Sequence, residues 1–165
     1  MFYSTKTYGN DRGLSCCFRQ WRSTHSHCST LHGYALGIKL IFKAPELDEL
    51  NWGMDFGNMK AFKAWAEYMF DHTHVVASDD PMLALFKQVE AAGGSTIRVV
   101  NAVGCERFAE MAYRKMAEIL EDFKNGHSVN IAGVSYSSRY PVNPSVTVHS
   151  VEVFEHAGNS AIYEG

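Results

Sequence analysis

The residues best suited to chemistry lie between positions 28 and 34, where Cys28 stands four residues ahead of the pair His32-Gly33, with Tyr34 next. A thiol whose pKa is drawn down by positive charge or metal can act as base, nucleophile or ligand. An imidazole can bind a cation or carry a proton. A second reactive pair is Asp71-His72, in which a carboxylate can fix an imidazole tautomer and stabilise its protonated form. Adjacent residues need not bring their side chains together, so contact between these two is not implied. Each group also has a plain structural role. A cysteine is more often a small buried hydrophobe than a reactive group, and His72 after a helix end suits the negative pole of that helix.

The elements that must position these groups follow from periodicity. Residues 34–42 alternate, with Tyr34, Leu36, Ile38, Leu40 and Phe42 apolar, which predicts a strand with one buried face. His32 shares that parity. Residues 13–21 are the expected antiparallel partner. From 58 to 70 the period becomes helical through Phe62, Trp65, Ala66, Met69 and Phe70. Gly93-Gly94 marks a turn, and residues 96–100 are a short extended piece. A second helical stripe runs over 106–123 through Phe108, Met111, Met116, Ile119, Leu120 and Phe123, and Asn125-Gly126 ends it. Residues 128–137 read as a strand, Pro141 and Pro144 interrupt, and 145–155 alternate again. The order ββααββ predicts one α+β domain over residues 1–165, a four-stranded antiparallel sheet with two helices on one face.

Composition restricts the class. The chain has 165 residues, 46% hydrophobic and 20% charged, with a net charge of -3, and a domain of this size needs no disulfide or structural metal to fold. Nothing in the charge argues for nucleic acid or a membrane surface as partner. Residues 1–8 lack the apolar core of a secretion signal, and no run approaches a bilayer-spanning length. Cys16, Cys17, Cys28 and Cys105 read as reduced thiols, with a cytoplasmic location expected.

Five motifs in this order resemble the 6-pyruvoyl-tetrahydropterin synthase and 6-carboxy-tetrahydropterin synthase (QueD) group of tunnelling-fold proteins. The most specific is Met54-Asp55-Phe56-Gly57-Asn58-Met59-Lys60, similar to Val-x-Asp-Phe-Gly-x-Leu-Lys. Phe70-Asp71-His72 resembles Leu-Asp-His, and Cys28 to Gly33 fits Cys-x-x-x-His-Gly-His apart from its last histidine. Gly104-Cys105-Glu106-Arg107-Phe108-Ala109 resembles Thr-x-Glu-Asn-x-Ala, and Val151-Glu152-Val153-Phe154-Glu155 resembles Val-x-Val-x-Glu-Thr.

The resemblance implies a carbon-oxygen lyase that takes 7,8-dihydroneopterin triphosphate, expels the triphosphate and rearranges the side chain. It assigns Cys28 as the base, His72 and Asp71 as its relay partners, Glu155 as the anchor of the pterin ring and Glu106 to the same pocket. The four-residue spacing from Cys28 to His32-Gly33 resembles the bacterial QueD type, which implies 6-carboxy-tetrahydropterin formation in 7-deazaguanine (queuosine-type) biosynthesis. The alternatives are 6-pyruvoyl-tetrahydropterin formation or a metal-free, non-catalytic pterin- or purine-binding module. Trimers stacked into hexamers, with the pocket between subunits, are implied as well.

Zinc is implied on three histidines, one ending a Phe-x-Ala-x-His strand and two from His-Gly-His. In this chain Phe18 and Tyr34 stand at two of those positions and only His32 remains. Three outcomes are open. Cys17 or Cys16, with His25 or His27 and His32, rebuilds a site of different ligand type. The metal is lost while pterin binding is kept. Otherwise the register differs or another chain supplies a ligand. His149 shares the parity of Glu155 and is a candidate to face the same pocket.

Overall fold

The alternating stretch that begins at His32 does not form one strand; it passes from one sheet into another. In the computed structural model, which describes residues 1–165, β1 is Phe2–Tyr8, β2 is Ser15–Phe18, β3 is His32–Ala35 and β4 is Gly37–Ala44. Leu36, Ile38, Leu40 and Phe42 are fully buried on the inner face, as the period of two requires. β4 lies between β1 (Tyr3 opposite Lys43) and β9, Thr147–His156 (Leu40 opposite Val151). With β10, Asn159–Glu164, these make a four-stranded antiparallel sheet in the order β1-β4-β9-β10.

β3 belongs to a second sheet. Cys16 faces Tyr34 and Phe18 faces His32 across the antiparallel pair β2-β3, so the expected partner of residues 34–42 pairs only with the first part of that segment. The remainder pairs with β1, a strand that the mixed aromatic and polar residues 2–8 do not announce. β2 also runs parallel to β5, Thr73–Ala77, and β5 parallel to β6, Ile97–Val100. Between β5 and β6 lies helix α2, Leu83–Ala91, the crossover that a parallel pair requires. Its only buried residue is Phe86, which packs on Val76 and Ile97.

The two expected helices are α1, Lys60–Phe70, and α3, Cys105–Lys124. Phe62, Trp65, Ala66 and Phe70 of α1, and Phe108, Ala112, Met116, Ile119 and Phe123 of α3, enter one main core. Helix α3 packs on β9 and β10, and α1 on α3 and β5. The α+β class and the four-stranded antiparallel sheet stand as expected, with a third helix and a second, mixed sheet added. The segment read as one strand over 128–137 is a hairpin of β7, Val129–Ile131, and β8, Val134–Tyr136. Its turn residues Ala132 and Gly133 both have positive φ, at 49° and 87°, a pattern that suits the twist of a two-residue hairpin. No helix is long and apolar enough to cross a membrane.

Gly33 sets how closely β2 and β3 approach. A Cβ there would lie 2.4 Å from the Cys16 carbonyl oxygen, so a side chain must push the strands apart. Gly33→Ala is expected to lower stability by about 1–3 kcal/mol, the usual cost of overpacking, measured as a shift in urea midpoint.

Candidate active site

Cys28 sits in the middle of a short 3-10 turn, His27–Ser29, whose shape is dictated by serine and threonine side chains. The Ser26 hydroxyl accepts from the Cys28 N–H at 3.2 Å, Ser29 donates back to the Ser26 carbonyl at 2.8 Å, and Thr30 donates to the His27 carbonyl at 2.6 Å. The Cys28 carbonyl accepts from the N–H of Gln20, and the Arg19 Nη1 donates to the Ser29 carbonyl at 3.2 Å. Arg19 in turn forms a fork on Asp80, Nε to Oδ2 at 2.8 Å and Nη2 to Oδ1 at 2.6 Å, with the Asp80 side chain only 1% exposed. The turn that carries the thiol is thereby tied to the loop after β5.

Around this turn the structure gathers groups from four elements. The Tyr34 phenol is pushed up by burial, then by the charges of Glu155, Cys28 and Cys105. Cys105, the first residue of α3, lies in the field of the Glu155 carboxylate. Its pKa is pushed up to about 12 by burial and by Glu155 and Glu106. Asn10 fixes the same corner from below, its Nδ2 donating to the Ala35 carbonyl at 2.7 Å and lying 3.3 Å from that of Phe154. Gln20, whose N–H holds the Cys28 carbonyl, reaches Gly104 at the start of α3 beside Glu106, and Tyr34 packs on His156 next to Glu155, so the segments carrying Cys28, Glu106 and Glu155 meet at one corner with Cys105 and Tyr34. Neither Cys105 nor the Arg19–Asp80 pair stands out in the sequence as part of the site. A thiol at a helix N-terminus is one available signal for Cys105; the 61-residue separation of Arg19 and Asp80 leaves none for the pair.

Asp71 and His72 lie elsewhere. They connect α1 to β5, and the His72 N–H donates to the Ser15 carbonyl at the start of β2. Cys28 is held at Gln20, five residues further along, a distance on the order of 15 Å in extended chain. The two side chains touch, a contact that their adjacency alone did not imply. His72 Nδ1 donates to Asp71 Oδ1 at 2.6 Å, which fixes the proton on that nitrogen if the ring is neutral. His72 has φ of 55°, a left-handed backbone costing on the order of 1 kcal/mol for a residue with a Cβ. Its side chain is 86% exposed. Glu106 is also exposed, while Glu155 and His32 are half-buried.

The implied zinc ligands can be tested residue by residue. His32 uses Nδ1 on the Thr30 carbonyl at 2.7 Å and packs its ring against Phe18 and Tyr34. Cys17 lies between Cys16 and Phe18, both buried in the core, and faces the opposite side of the sheet. There it lines a cleft of about 540 Å³ with Gly33, His72, His74 and Ser95. His74 is buried against Phe86, and that burial lowers its pKa, partly offset by Asp80. His25 and His27 are exposed. No three His, Cys, Asp or Glu residues stand close enough to share a cation, so the first of the three outcomes, a site rebuilt from Cys17 or Cys16 with His25 or His27 and His32, is not realised within the chain. His149 turns away from Glu155 and lies against Tyr3 and 4.0 Å from Glu164.

Residues 10–165 match the family described as 6-pyruvoyl tetrahydropterin synthase. An uncharacterized protein from Wolinella succinogenes has a similar structure, with a TM-score of 0.71 and 16% identity over 99% of this chain and 98% of that one. The 6-pyruvoyl tetrahydropterin synthase of Plasmodium falciparum gives 0.60 at 12% identity over 99% and 98%, and that of Caenorhabditis elegans 0.57 at 14% over 99% and 94%. At these identities the likeness concerns the fold. No curated protein sequence matches the chain.

The Arg19–Asp80 fork generates a pH prediction. Burial alone raises the Asp80 pKa, but hydrogen bonds from Arg19 and the Met82 N–H outweigh it and hold the carboxyl below the usual range. Its contribution to stability is complete above the ordinary carboxylate pKa and is lost as the pH falls through the depressed folded value. Asp80→Asn is expected to cost about 3 kcal/mol at neutral pH, as breaking a buried pair does, and to flatten the acid limb of stability against pH measured by urea unfolding.

Proposed function

The chain belongs to the 6-pyruvoyl tetrahydropterin synthase family, and from that premise we propose that it is a carbon-oxygen lyase acting on 7,8-dihydroneopterin triphosphate. The observation that carries this reading is the corner around Tyr34, whose ring packs against His32, four residues after Cys28, on one side and against His156, next to Glu155, on the other. The segments that carry the proposed base and the proposed pterin anchor thus meet at one ring. Glu155 accepts two hydrogen bonds from the amino-pyrimidine edge of the ring, the pairing a carboxylate offers to a guanidine-like edge. Cys28 as thiolate takes a proton from the first side-chain carbon, whose acidity comes from the adjoining ring imine. The electron pair moves into the ring and the imine nitrogen is protonated. Cys16, Cys17 and Cys105 are poor candidates for that role, since burial raises the pKa of each.

The Asp71–His72 pair serves as the proton relay, contributed to the Cys28 pocket by a neighbouring subunit. Its exposure and its distance from Cys28 along β2 support this arrangement. A trimer or hexamer with pockets between subunits follows, and the open edge of β3 in the second sheet is a surface that such an assembly would cover. We assign 6-carboxy-tetrahydropterin as the product, on the Cys28-to-His32 spacing, which places the reaction in 7-deazaguanine (queuosine-type) biosynthesis. The mass of the product distinguishes this from 6-pyruvoyl-tetrahydropterin. Phe18 and Tyr34 in place of ligands favour one further reading, a module that binds a pterin or purine without turning it over.

Release of inorganic triphosphate from 7,8-dihydroneopterin triphosphate tests the enzyme reading, and its absence with intact pterin binding would select the binding module. Cys28→Ala and His72→Ala are each expected to lose about 10²-fold or more in rate. Co-assembled from the two variant chains, mixed oligomers are expected to regain activity, because some pockets then hold both wild-type residues. Mixed oligomers as inactive as their parents would place the relay within one chain.

A further inference from the structure

Phe18, His32 and Tyr34 occupy the three positions to which the family resemblance assigns zinc, and the structure brings them together. Phe18 stands directly opposite His32 in the β2-β3 pair, and Tyr34 follows two residues later on the same face. Their ring centroids form a triangle, 5.5 Å from Phe18 to His32, 5.6 Å from His32 to Tyr34 and 6.3 Å from Phe18 to Tyr34. Two strands thus present three rings to one point, as a three-histidine site would. The departure lies in the chemistry and not in the register. A phenyl ring has no lone pair, a neutral phenol is not among the donors zinc selects, and one imidazole alone does not make a site. The other donors nearby do not make up the difference, since Cys17 faces the far side of the sheet and no third His, Cys, Asp or Glu is in range.

Tyr34 does more than fill the space. Its ring meets Phe18 and His32 on one side and His156 at 6.3 Å on the other, and Asn10 ties the carbonyl of its neighbour Ala35 to that of Glu155. A ring in this position stands between the segment that carries the proposed pterin anchor and the strand that follows the proposed base. Phe18, packed edge-on against Phe108 at 5.1 Å and 1% exposed, closes the back of the triangle. Closing it with hydrocarbon strengthens any hydrogen bond made in front of it.

We propose that the pocket of this chain works without a metal ion, and that the Tyr34 hydroxyl donates a hydrogen bond to a side-chain oxygen of the pterin. This inference rests on the pterin reading for the role of Tyr34, but its metal-free part stands independently of it. A neutral donor in a preorganised place stabilises charge developing on that oxygen, and His32, held through Nδ1 by the Thr30 carbonyl, supports the phenol through ring contact.

The test has two arms, both on the full-length assembled protein grown with added zinc. In the first, metal content is measured by mass spectrometry before and after a chelator. Wild type is expected to hold far less than one zinc per chain, and the double variant Phe18→His with Tyr34→His about one per chain, as three imidazoles with an open position do. Should the buried histidine prevent folding, the wild-type measurement decides the arm alone. One tightly held zinc per wild-type chain overturns the proposal. In the second arm, 7,8-dihydroneopterin is titrated by fluorescence into wild type and Tyr34→Phe, which keeps the ring and its packing. The variant is expected to bind about tenfold more weakly, the loss of one hydrogen bond. Equal affinities overturn the role given to Tyr34. If wild type binds no dihydroneopterin, the pterin reading and the role of Tyr34 fail together, while the metal content still decides whether the pocket is metal-free.

Discussion

Residues 32–44 must serve two sheets at once, and most of the molecule is arranged around that requirement. Their first four residues form the edge of the mixed sheet and their last eight run through the middle of the antiparallel one. The change of sheet occurs at Leu36, which is fully buried and donates its N–H to the Leu14 carbonyl. Asn10 bonds the Ala35 carbonyl and reaches those of Phe154 and Glu155, so the junction and the end of β9 are held by one side chain. Asn10 thus cross-links the junction to β9 through backbone carbonyls of both. Had the segment stayed in one sheet, Tyr34 would have no reason to meet Glu155.

The same junction explains what the sequence could disclose. Leu36, Ile38, Leu40 and Phe42 alternate because one face is buried, and Phe108, Ala112, Met116 and Ile119 recur at helical spacing because one stripe is. Both patterns are local and were legible. β1 and β10 were not, since outward positions carry the exposed apolar residues Tyr3 and Ile162 while the inward positions Ser4 and Lys6 of β1 are polar, which erases the alternation. Helix α2 escaped because it buries only Phe86, which leaves no stripe to read. Which sheet a strand joins is a non-local choice, so the pairing of residues 13–21 with 32–35 alone lay beyond the periodicity.

The candidate site divides along a similar line. Cys28, Glu106 and Glu155 were legible through motifs whose order follows the chain, and Gln20, which holds the Cys28 carbonyl and reaches Gly104, links the segments of the first two. Asp71 and His72 were equally legible as a pair, but their place at the far end of β2 depends on the parallel β2-β5 register, which no local pattern encodes. The Arg19 fork on buried Asp80 depends on that register too, because Asp80 follows β5. Its effect is to hold the Cys28 turn against the far end of β5, the strand that follows His72. Positions 18 and 34 show the reverse case. Their identities were plain in the sequence, but only the structure shows that their rings and that of His32 meet in one triangle.

The central claim is that the corner formed by Cys28, Tyr34 and Glu155 is a pterin pocket. A crystal structure of the assembled protein soaked with 7,8-dihydroneopterin tests it most directly. The account predicts the amino-pyrimidine edge of the ring on the Glu155 carboxylate, the side chain directed toward Cys28, and the Tyr34 hydroxyl on a side-chain oxygen. Ligand bound away from Glu155, or a vacant corner at saturating ligand, would contradict it.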